Sequence, residues 1–146
     1  MVLVNKWDLI EKESNTARDF ENQIKEKIAP MDYIPVVFAS VKTKQRIMKA
    51  IERSLEIYDE MKKRISTSKL NDLILPEIEK YPPPAVKGKY IRIKYVTQLH
   101  SSSPAFAFFC NLPQYIKAPY VRYLEGKLRA HFGFEGVHLR VFFRKK

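Results

Sequence analysis

In the first half of the chain, short apolar runs alternate with apolar positions at helical spacing. Residues 1–4 are continuously apolar and give way to the polar Asn5 and Lys6, which is typical of a buried parallel strand that ends in a loop. Residues 34–39 form a second run, rich in β-branched and aromatic side chains. We therefore predict two strands, each followed by a loop.

Two amphipathic helices are predicted beside these strands, one ending at Pro30 and one beginning at Thr43. The apolar stripe of the first is Ala17, Phe20, Ile24 and Ile28, with Ser14 or Asn15 as N-cap, and that of the second is Ile47, Ile51, Leu55, Tyr58, Met61 and Ile65. The order strand, helix, strand, helix is the repeat of a parallel α/β sheet. Because two strands leave residues 2–4 with an unpaired edge, we expect neighbouring strands from a segment outside this chain.

A second pattern begins near Ser66 with a cap-like cluster and a helix that stops at the prolines 82–84. Its apolar stripe is Leu70, Leu73, Ile74 and Ile78. Two strands with period-two alternation follow and are predicted to be antiparallel. The first has Ile91, Ile93 and Tyr95 on one face and Arg92 and Lys94 on the other, and the second carries Phe106, Phe108 and Cys110.

The end of the chain predicts one helical turn at residues 114–116, a helix that starts at Pro119, and a last strand over residues 137–144. Gly133 is expected to cap this helix, whose apolar residues are Val121, Leu124, Leu128 and Phe132. The last strand points Val137, Leu139, Val141 and Phe143 inward and His138, Arg140 and Arg144 outward. The second half therefore reads α-β-β-α-α-β, and we place a domain boundary between residues 1–66 and 67–146.

The same two halves differ in net charge. Residues 1–66 contain 13 Lys or Arg against 11 Asp or Glu, whereas residues 67–146 contain 14 against 5. Such asymmetry favours contact between the second half and a polyanion, most often nucleic acid.

Several features predict a soluble, cytoplasmic protein without a membrane partner. No apolar run approaches the roughly 18 residues of a membrane span, and the N-terminus does not have the pattern of a signal peptide. The single Cys110 cannot form an intrachain disulfide, and the three histidines lack metal-ligand spacing. We expect no metal site and no catalytic residues, because no nucleophile, base and orienting acid can be assembled.

Asn5, Lys6 and Asp8 form the pattern Asn-Lys-x-Asp directly after a predicted buried strand. The Asp8 carboxylate can accept two hydrogen bonds from the ring N–H and exocyclic amine of guanine, which adenine cannot supply on that edge. Lys6 can lay its aliphatic stem on the base, and Asn5 can tie neighbouring loops together. The alternative is an exposed loop that spells this short pattern by chance.

Ser40 strengthens the guanine interpretation, because it follows the second predicted strand, where GTPases use a Ser-Ala turn whose backbone N–H reaches the guanine carbonyl. Val41 takes the alanine position. The sequence has neither the Gly-x-x-x-x-Gly-Lys-Ser/Thr phosphate loop nor an Asp-x-x-Gly segment to hold Mg²⁺. We therefore expect a partial GTP or GDP site, no Mg²⁺ ligands in this chain, and no GTP hydrolysis by it alone.

Motifs along the whole chain resemble the Der (EngA) family of bacterial GTPases, which carry two tandem GTPase domains followed by a KH-like domain. They lie at residues 2–8, 35–38, 64–71, 81–84, 94–98, 109–111 and 122–129. The resemblance implies the end of the second P-loop GTPase domain, a remnant with β-α-β-α order, followed by an α+β KH-like domain with a three-stranded sheet. It also implies a role in ribosome biogenesis, namely assembly of the large ribosomal subunit.

RNA-binding KH domains place a Gly-x-x-Gly loop between two helices to clamp the nucleic-acid backbone. Here that position reads Lys117-Ala118-Pro119-Tyr120, while residues 133–136 spell Gly-x-x-Gly in what we interpret as a structural turn. The remaining candidates for contact are basic residues: Arg92, Lys94, Lys117, Arg122, Lys127, Arg129, Arg140 and Arg144. Two interpretations stay open, contact with ribosomal RNA, or docking on the missing GTPase domains as a protein-interaction module that senses their nucleotide state.

Overall fold

The computed structural model describes residues 1–145, which form two compact units. One comprises Met1–Glu60 together with Glu135–Val137, and the other comprises Met61–Phe134 and the residues from His138 onward. Each unit has its own sheet, one with two strands and one with three.

The first unit contains strand β1 (Val2–Val4), helix α1 (Thr16–Ile28), strand β2 (Val36–Phe38) and most of helix α2 (Ile47–Lys62). The predicted order of strand, helix, strand and helix is confirmed, and β1 pairs with β2 in parallel.

Helix α2 begins four residues later than predicted. The segment before it forms a turn in which Lys44 and Arg46 have φ angles of 57° and 58°. Because residues with positive φ cannot continue a right-handed helix, the helical pattern from Thr43 is realised only from Ile47 onward.

The second unit contains helix α3 (Thr67–Lys80), strands β3 (Ile93–Gln98) and β4 (Ala105–Cys110), helix α4 (Ala118–Phe132) and strand β5 (Arg140–Lys145). A short 3-10 helix, Pro113–Tyr115, takes the place of the predicted helical turn. The Ser66 hydroxyl accepts the Lys69 N–H at 3.3 Å and so caps α3. The predicted three-stranded sheet is confirmed, with β3 and β4 antiparallel.

The core of the second unit lies between the sheet and the two long helices. Leu70 and Ile74 of α3, Leu124 of α4, and Phe106 and Phe108 of β4 are fully buried. Cys110 is also fully buried, and burial raises the pKa of its thiol.

The predicted alternation along β3 is wrong beyond Ile93. The register shifts between Ile93 and Tyr95, which leaves Lys94 as an extra residue in a β-bulge. A bulge moves the following side chains to the opposite face, so Val96 is fully buried while Tyr95 stacks on Phe109 at 4.4 Å between ring centroids.

Strand β5 starts three residues later than predicted but keeps its predicted faces. Val137 and Leu139 are buried, while Arg140 and Arg144 are exposed. The strands that carry Lys94 and Arg144 are not neighbours, because β4 lies between β3 and β5.

Two turns around these elements are fixed by specific residues. The Gly133 N–H donates to the Arg129 carbonyl at 2.8 Å, so Gly133 ends α4 as predicted. Gly133 and Gly136 have φ angles of 86° and 73°, conformations that favour glycine, and this supports a turning role for the Gly-x-x-Gly segment.

Candidate functional site

The two candidate loops of the first unit begin at the same edge of its parallel sheet. The Ala39 N–H donates to the Val4 carbonyl at 2.8 Å, and the Trp7 N–H donates to the Ala39 carbonyl at 3.1 Å. Pairing therefore continues past the ends of both strands and brings the Asn5 loop alongside the Ser40 loop.

The Asn5 side chain joins these loops as predicted. Its Oδ1 accepts the N–H of Lys6 at 2.7 Å and the N–H of Val41 at 3.2 Å. The Val41 N–H is also the group predicted to meet a guanine carbonyl, so in this structure that donor already has an acceptor.

Lys6 adopts a left-handed backbone conformation, with φ 60° and ψ 30°, at the start of the 3-10 helix Trp7–Leu9. A non-glycine residue in this region costs on the order of 1–3 kcal/mol, and such strain persists only where the surrounding structure imposes it. Here it is imposed at a residue of the candidate site.

Trp7 is the residue of the motif that the sequence left without a role. Its side chain is 3% exposed, with its ring 4.3 Å from Phe38 of β2 and 5.5 Å from Phe20 of α1. Trp7 thus fixes the loop to the core of the first unit. In the sequence, the signal for this anchoring role was an aromatic residue between the polar positions of the motif.

Asp8 is the acidic residue of the candidate site. Hydrogen bonding with the Ser40 side chain lowers the pKa of the Asp8 carboxyl, with smaller contributions from Lys42 and Lys12, while desolvation opposes the shift. Within residues 1–145, the buried Asp8 Oδ1 has no hydrogen-bond partner. A buried carboxylate oxygen of this kind requires a donor, because leaving it unpaired costs free energy.

Ser40 is fully buried and organises its own loop. Its hydroxyl accepts the Thr43 N–H at 3.2 Å, and its N–H donates to the Gln45 carbonyl at 3.0 Å. The loops enclose an open cavity of about 370 Å³. Its lining consists of the five predicted guanine-site residues and two others: Asn5, Lys6, Asp8, Leu9, Ser40, Val41 and Lys42.

The basic candidates of the second unit fall into two groups. Three have internal partners: Lys127 contacts Glu77 at 2.7 Å, Arg129 donates to the Phe134 carbonyl at 2.6 Å, and Arg140 donates to the Ser101 hydroxyl. The others are exposed: Arg92, Lys94, Lys117, Arg122 and Arg144. The pattern of charges along the sequence could not separate these groups, because each partner is distant in the chain.

The ion pair of Glu77 joins α3 to α4. The ammonium of Lys127, and to a smaller extent His131 at 3.3 Å, lower the pKa of the Glu77 carboxyl, while the carboxylate raises the pKa of Lys127. Lys127 therefore makes a structural contact between the two helices.

One face of the three-stranded sheet combines aromatic and basic side chains. Tyr95, Phe109 and Arg144 stand in register across β3, β4 and β5. On the same face Phe142 is 42% exposed, and the Arg140 guanidinium lies 6.0 Å from its ring centre. Phe109 lies on this face, opposite to Phe108, because side chains alternate along the strand.

Residues 1–145 contain no group of three or more His, Cys, Asp or Glu side chains that could hold a metal ion. In the same part of the chain, no helix has the length and apolar character needed to cross a membrane.

The sequence matches, over residues 64–144, the family described as the KH-domain-like region at the C-terminus of EngA bacterial GTPase enzymes. The chain belongs to the EngA family. It is also similar to proteins named GTPase Der along its whole length: 53% identical to that of Christiangramia forsetii, 54% to that of Cytophaga hutchinsonii and 52% to that of Amoebophilus asiaticus.

The family resemblance stated from the sequence is thereby confirmed. The chain spans about a third of the length of these curated relatives, since it covers 34% of each. The EngA relatives thus have a larger remainder that this chain does not contain.

Proposed function

We propose that residues 1–66, the first predicted domain, supply the guanine-recognition corner of a P-loop GTPase domain. The observation that carries this proposal is the buried Asp8 Oδ1, which has no hydrogen-bond partner within residues 1–145; Asp8 lines the cavity together with Asn5, Lys6 and Ser40. Guanine offers two adjacent donors, its ring N–H and its amine, to a carboxylate, whereas adenine offers none on that edge.

Each predicted residue has a defined task in this proposal. Asp8 accepts both guanine donors, and Ser40 keeps the carboxylate ionised and oriented. The aliphatic stem of Lys6 covers one face of the base. Asn5 holds the second loop in place, and the Val41 N–H shares its hydrogen between Asn5 Oδ1 and the guanine carbonyl.

In the parent protein, GTP or GDP would bind through this corner together with a phosphate loop and Mg²⁺ supplied by the rest of the polypeptide. Base contacts alone give little affinity, because most of the charge of the ligand would stay unmatched. This chain is therefore expected to bind guanine weakly and not to hydrolyse GTP alone.

The test is an NMR titration of the chain with guanosine and with adenosine. Guanosine should shift the Val41 amide and the Trp7 indole signals with a Kd on the order of 1 mM, and adenosine should not. Asp8→Ala should abolish the response. Equal shifts with both nucleosides, or binding that survives Asp8→Ala, would overturn the proposal.

For residues 67–146, the predicted KH-like domain, we propose contact with ribosomal RNA during assembly of the large ribosomal subunit in the cytoplasm. Support comes from its balance of 14 basic against 5 acidic residues and from the exposed Arg144 and Phe142 beside Arg140 on the sheet face. RNA-binding sheets use aromatic rings for unstacked bases and cations for phosphates.

Binding of the chain to ribosomal RNA should weaken as salt rises, because each phosphate contact releases counterions. Replacement of Arg92, Lys94, Arg140 and Arg144 by Glu should reduce both the affinity and the salt dependence. Unchanged binding by this variant would count against the sheet face as the contact surface.

The second candidate function is docking of the KH-like unit on the GTPase domains, where it would sense their nucleotide state. The exposed aromatic Phe142 also suits a protein interface. This function predicts nuclease-resistant binding of the chain to the remaining GTPase segments, with an affinity that differs between GDP and a GTP analogue. Equal or absent binding in both states would exclude it.

A further inference from the structure

The second unit contains an open groove of about 430 Å³ that the proposed contacts above do not use. Four tyrosines line it, namely Tyr81, Tyr115, Tyr120 and Tyr123, and the lining is mostly apolar. The volume falls within the range of about 300–1,000 Å³ that is typical of sites for small ligands.

Hydrogen bonds from their hydroxyls hold Tyr120 and Tyr123 in the lining of the groove. The Tyr120 hydroxyl donates to the Tyr81 carbonyl at 2.9 Å, and the Tyr123 hydroxyl donates to the Glu77 carbonyl at 3.0 Å. The ring of Tyr123 lies 5.1 Å from that of Tyr81 and 5.5 Å from that of Tyr120. The groove is therefore a preorganised aromatic surface, and binding a flat ring would cost little side-chain entropy.

Tyr81 is 59% exposed, so most of this side chain remains accessible to a ligand. Its neighbour Pro83 is buried and follows the end of α3, which limits the freedom of the segment that carries Tyr81.

The chain segments that line the groove are rich in basic residues. Every lining residue comes from residues 80–124, a stretch with seven Lys or Arg and no Asp or Glu. Lys117 belongs to the lining and is exposed. Exposed cations also adjoin lining residues in the chain: Lys80, Lys87, Arg92 and Arg122.

A ligand that matches this surface must combine a flat apolar ring with negative charge. Unpaired nucleotides have this combination, because a base can stack on tyrosine while its phosphates pair with lysine and arginine. An acidic peptide would satisfy the cations but would leave most of the aromatic area unused.

We propose that this groove binds an unpaired nucleotide of single-stranded RNA, with the base on the tyrosines and a phosphate at Lys117. The inference rests on the proposed RNA contact of the second unit and assigns it a second, separate site. It places base stacking in the groove, whereas the sheet face carries Arg140, Phe142 and Arg144.

Fluorescence anisotropy of the full chain with a short labelled oligoadenylate tests the proposal. Tyr81→Leu should weaken binding by about fivefold to a hundredfold, the range expected for loss of one stacked base, while Tyr81→Phe should bind as the wild type does. Lys117→Glu should also weaken binding and should lower the salt slope by about one.

Tyr90→Leu is the matched control, because Tyr90 is 74% exposed and lies in the same acid-free stretch but does not line the groove. It should bind like the wild type. Since Tyr81 is largely exposed, its variants should remain folded, and circular dichroism will check this.

Three results would overturn the proposal, and they are distinguishable. If oligoadenylate binds but Tyr81→Leu and Lys117→Glu leave its affinity unchanged while Arg144→Glu lowers it, the RNA contact stands and the groove does not take part. If the wild type binds neither oligoadenylate nor ribosomal RNA, both the groove and the proposed RNA contact fail. Displacement of bound oligoadenylate equally by a polyglutamate peptide and by unlabelled RNA would also overturn the proposed selectivity for a nucleotide.

Discussion

The carboxamide oxygen of Asn5 accepts the N–H of Val41, 36 positions away in the chain, at 3.2 Å. This hydrogen bond joins the loops that follow the two parallel strands, and the proposed guanine site lies between them. A single side chain thus couples the formation of the site to the packing of both strand ends.

Asn5→Ala should therefore destabilise the first unit by about 1 kcal/mol, the net value of one hydrogen bond. It should also weaken guanosine binding, because the Val41 loop loses its anchor. Amide hydrogen exchange of the Ser40 loop will report the first effect and NMR titration the second. Asn5→Asp keeps an acceptor at the same position and should preserve the loop, so faster exchange in this control would contradict the explanation.

Asp8→Asn should change the base preference of the site. An amide offers one acceptor and one donor, which match the ring N–H and the carbonyl of xanthine, whereas the guanine amine would face another donor. The affinity for guanosine should fall at least tenfold, a difference of about 1.4 kcal/mol, and xanthosine should bind better than guanosine. Parallel NMR titrations with the two nucleosides measure this. Asp8→Ala should bind neither, and retained guanosine preference in Asp8→Asn would exclude direct recognition by this side chain.

Trp7→Ala should destabilise the first unit by about 3–5 kcal/mol, because it removes a large buried ring that contacts both Phe20 and Phe38. Hydrogen exchange of the β2 amides measures the stability of the first unit separately from that of the second. Leu9→Ala, in the same short helix but 69% exposed, should change stability by less than about 0.5 kcal/mol. Comparable effects of both substitutions would show that Trp7 is not the anchor.

Lys6→Gly should distinguish the effect of backbone strain on stability from the effect of the side chain on base binding. Glycine adopts a φ of 60° without steric cost, and this gain offsets its larger loss of chain entropy, so stability should stay within about 1 kcal/mol of the wild type. Guanosine binding should still weaken, because the aliphatic stem is lost. Lys44→Gly is the control, since Lys44 also has positive φ but does not line the cavity. It should leave guanosine binding unchanged.

The sequence predicted elements well where a repeated pattern spans many residues, as in α3 and α4, whose apolar stripes became buried faces. It failed where one residue changes the geometry. The bulge at Lys94 reversed the faces of β3, and positive φ at Lys44 and Arg46 delayed the start of α2. Both features depend on local backbone conformation, which does not change the periodic pattern of apolar residues in the sequence.

The polar motif of the first unit could be recognised in the sequence because its residues are adjacent in the chain. The Asn5 link to the second loop followed from the role of that residue type, and the structure contains the bond. Contacts such as Lys127 with Glu77 could not be read from the sequence, because they depend on how α3 packs against α4.

Glu77 makes the stability of the second unit depend on pH. Lys127, with His131, lowers the pKa of this carboxyl below its ordinary value of 4.5. A group whose pKa is depressed on folding stabilises the fold at pH above its unfolded pKa, and this contribution disappears as pH falls through the folded pKa. Glu77→Gln should therefore lower the Tm at neutral pH and should have little effect well below pH 4.5. Thermal unfolding of the KH-like unit, followed at both pH values, measures the difference.

Glu79→Gln, two positions along the same helix and exposed, should leave the Tm unchanged at each pH. A Tm loss for Glu77→Gln that is equal at neutral and acidic pH would show that the residue acts through packing and not through its charge.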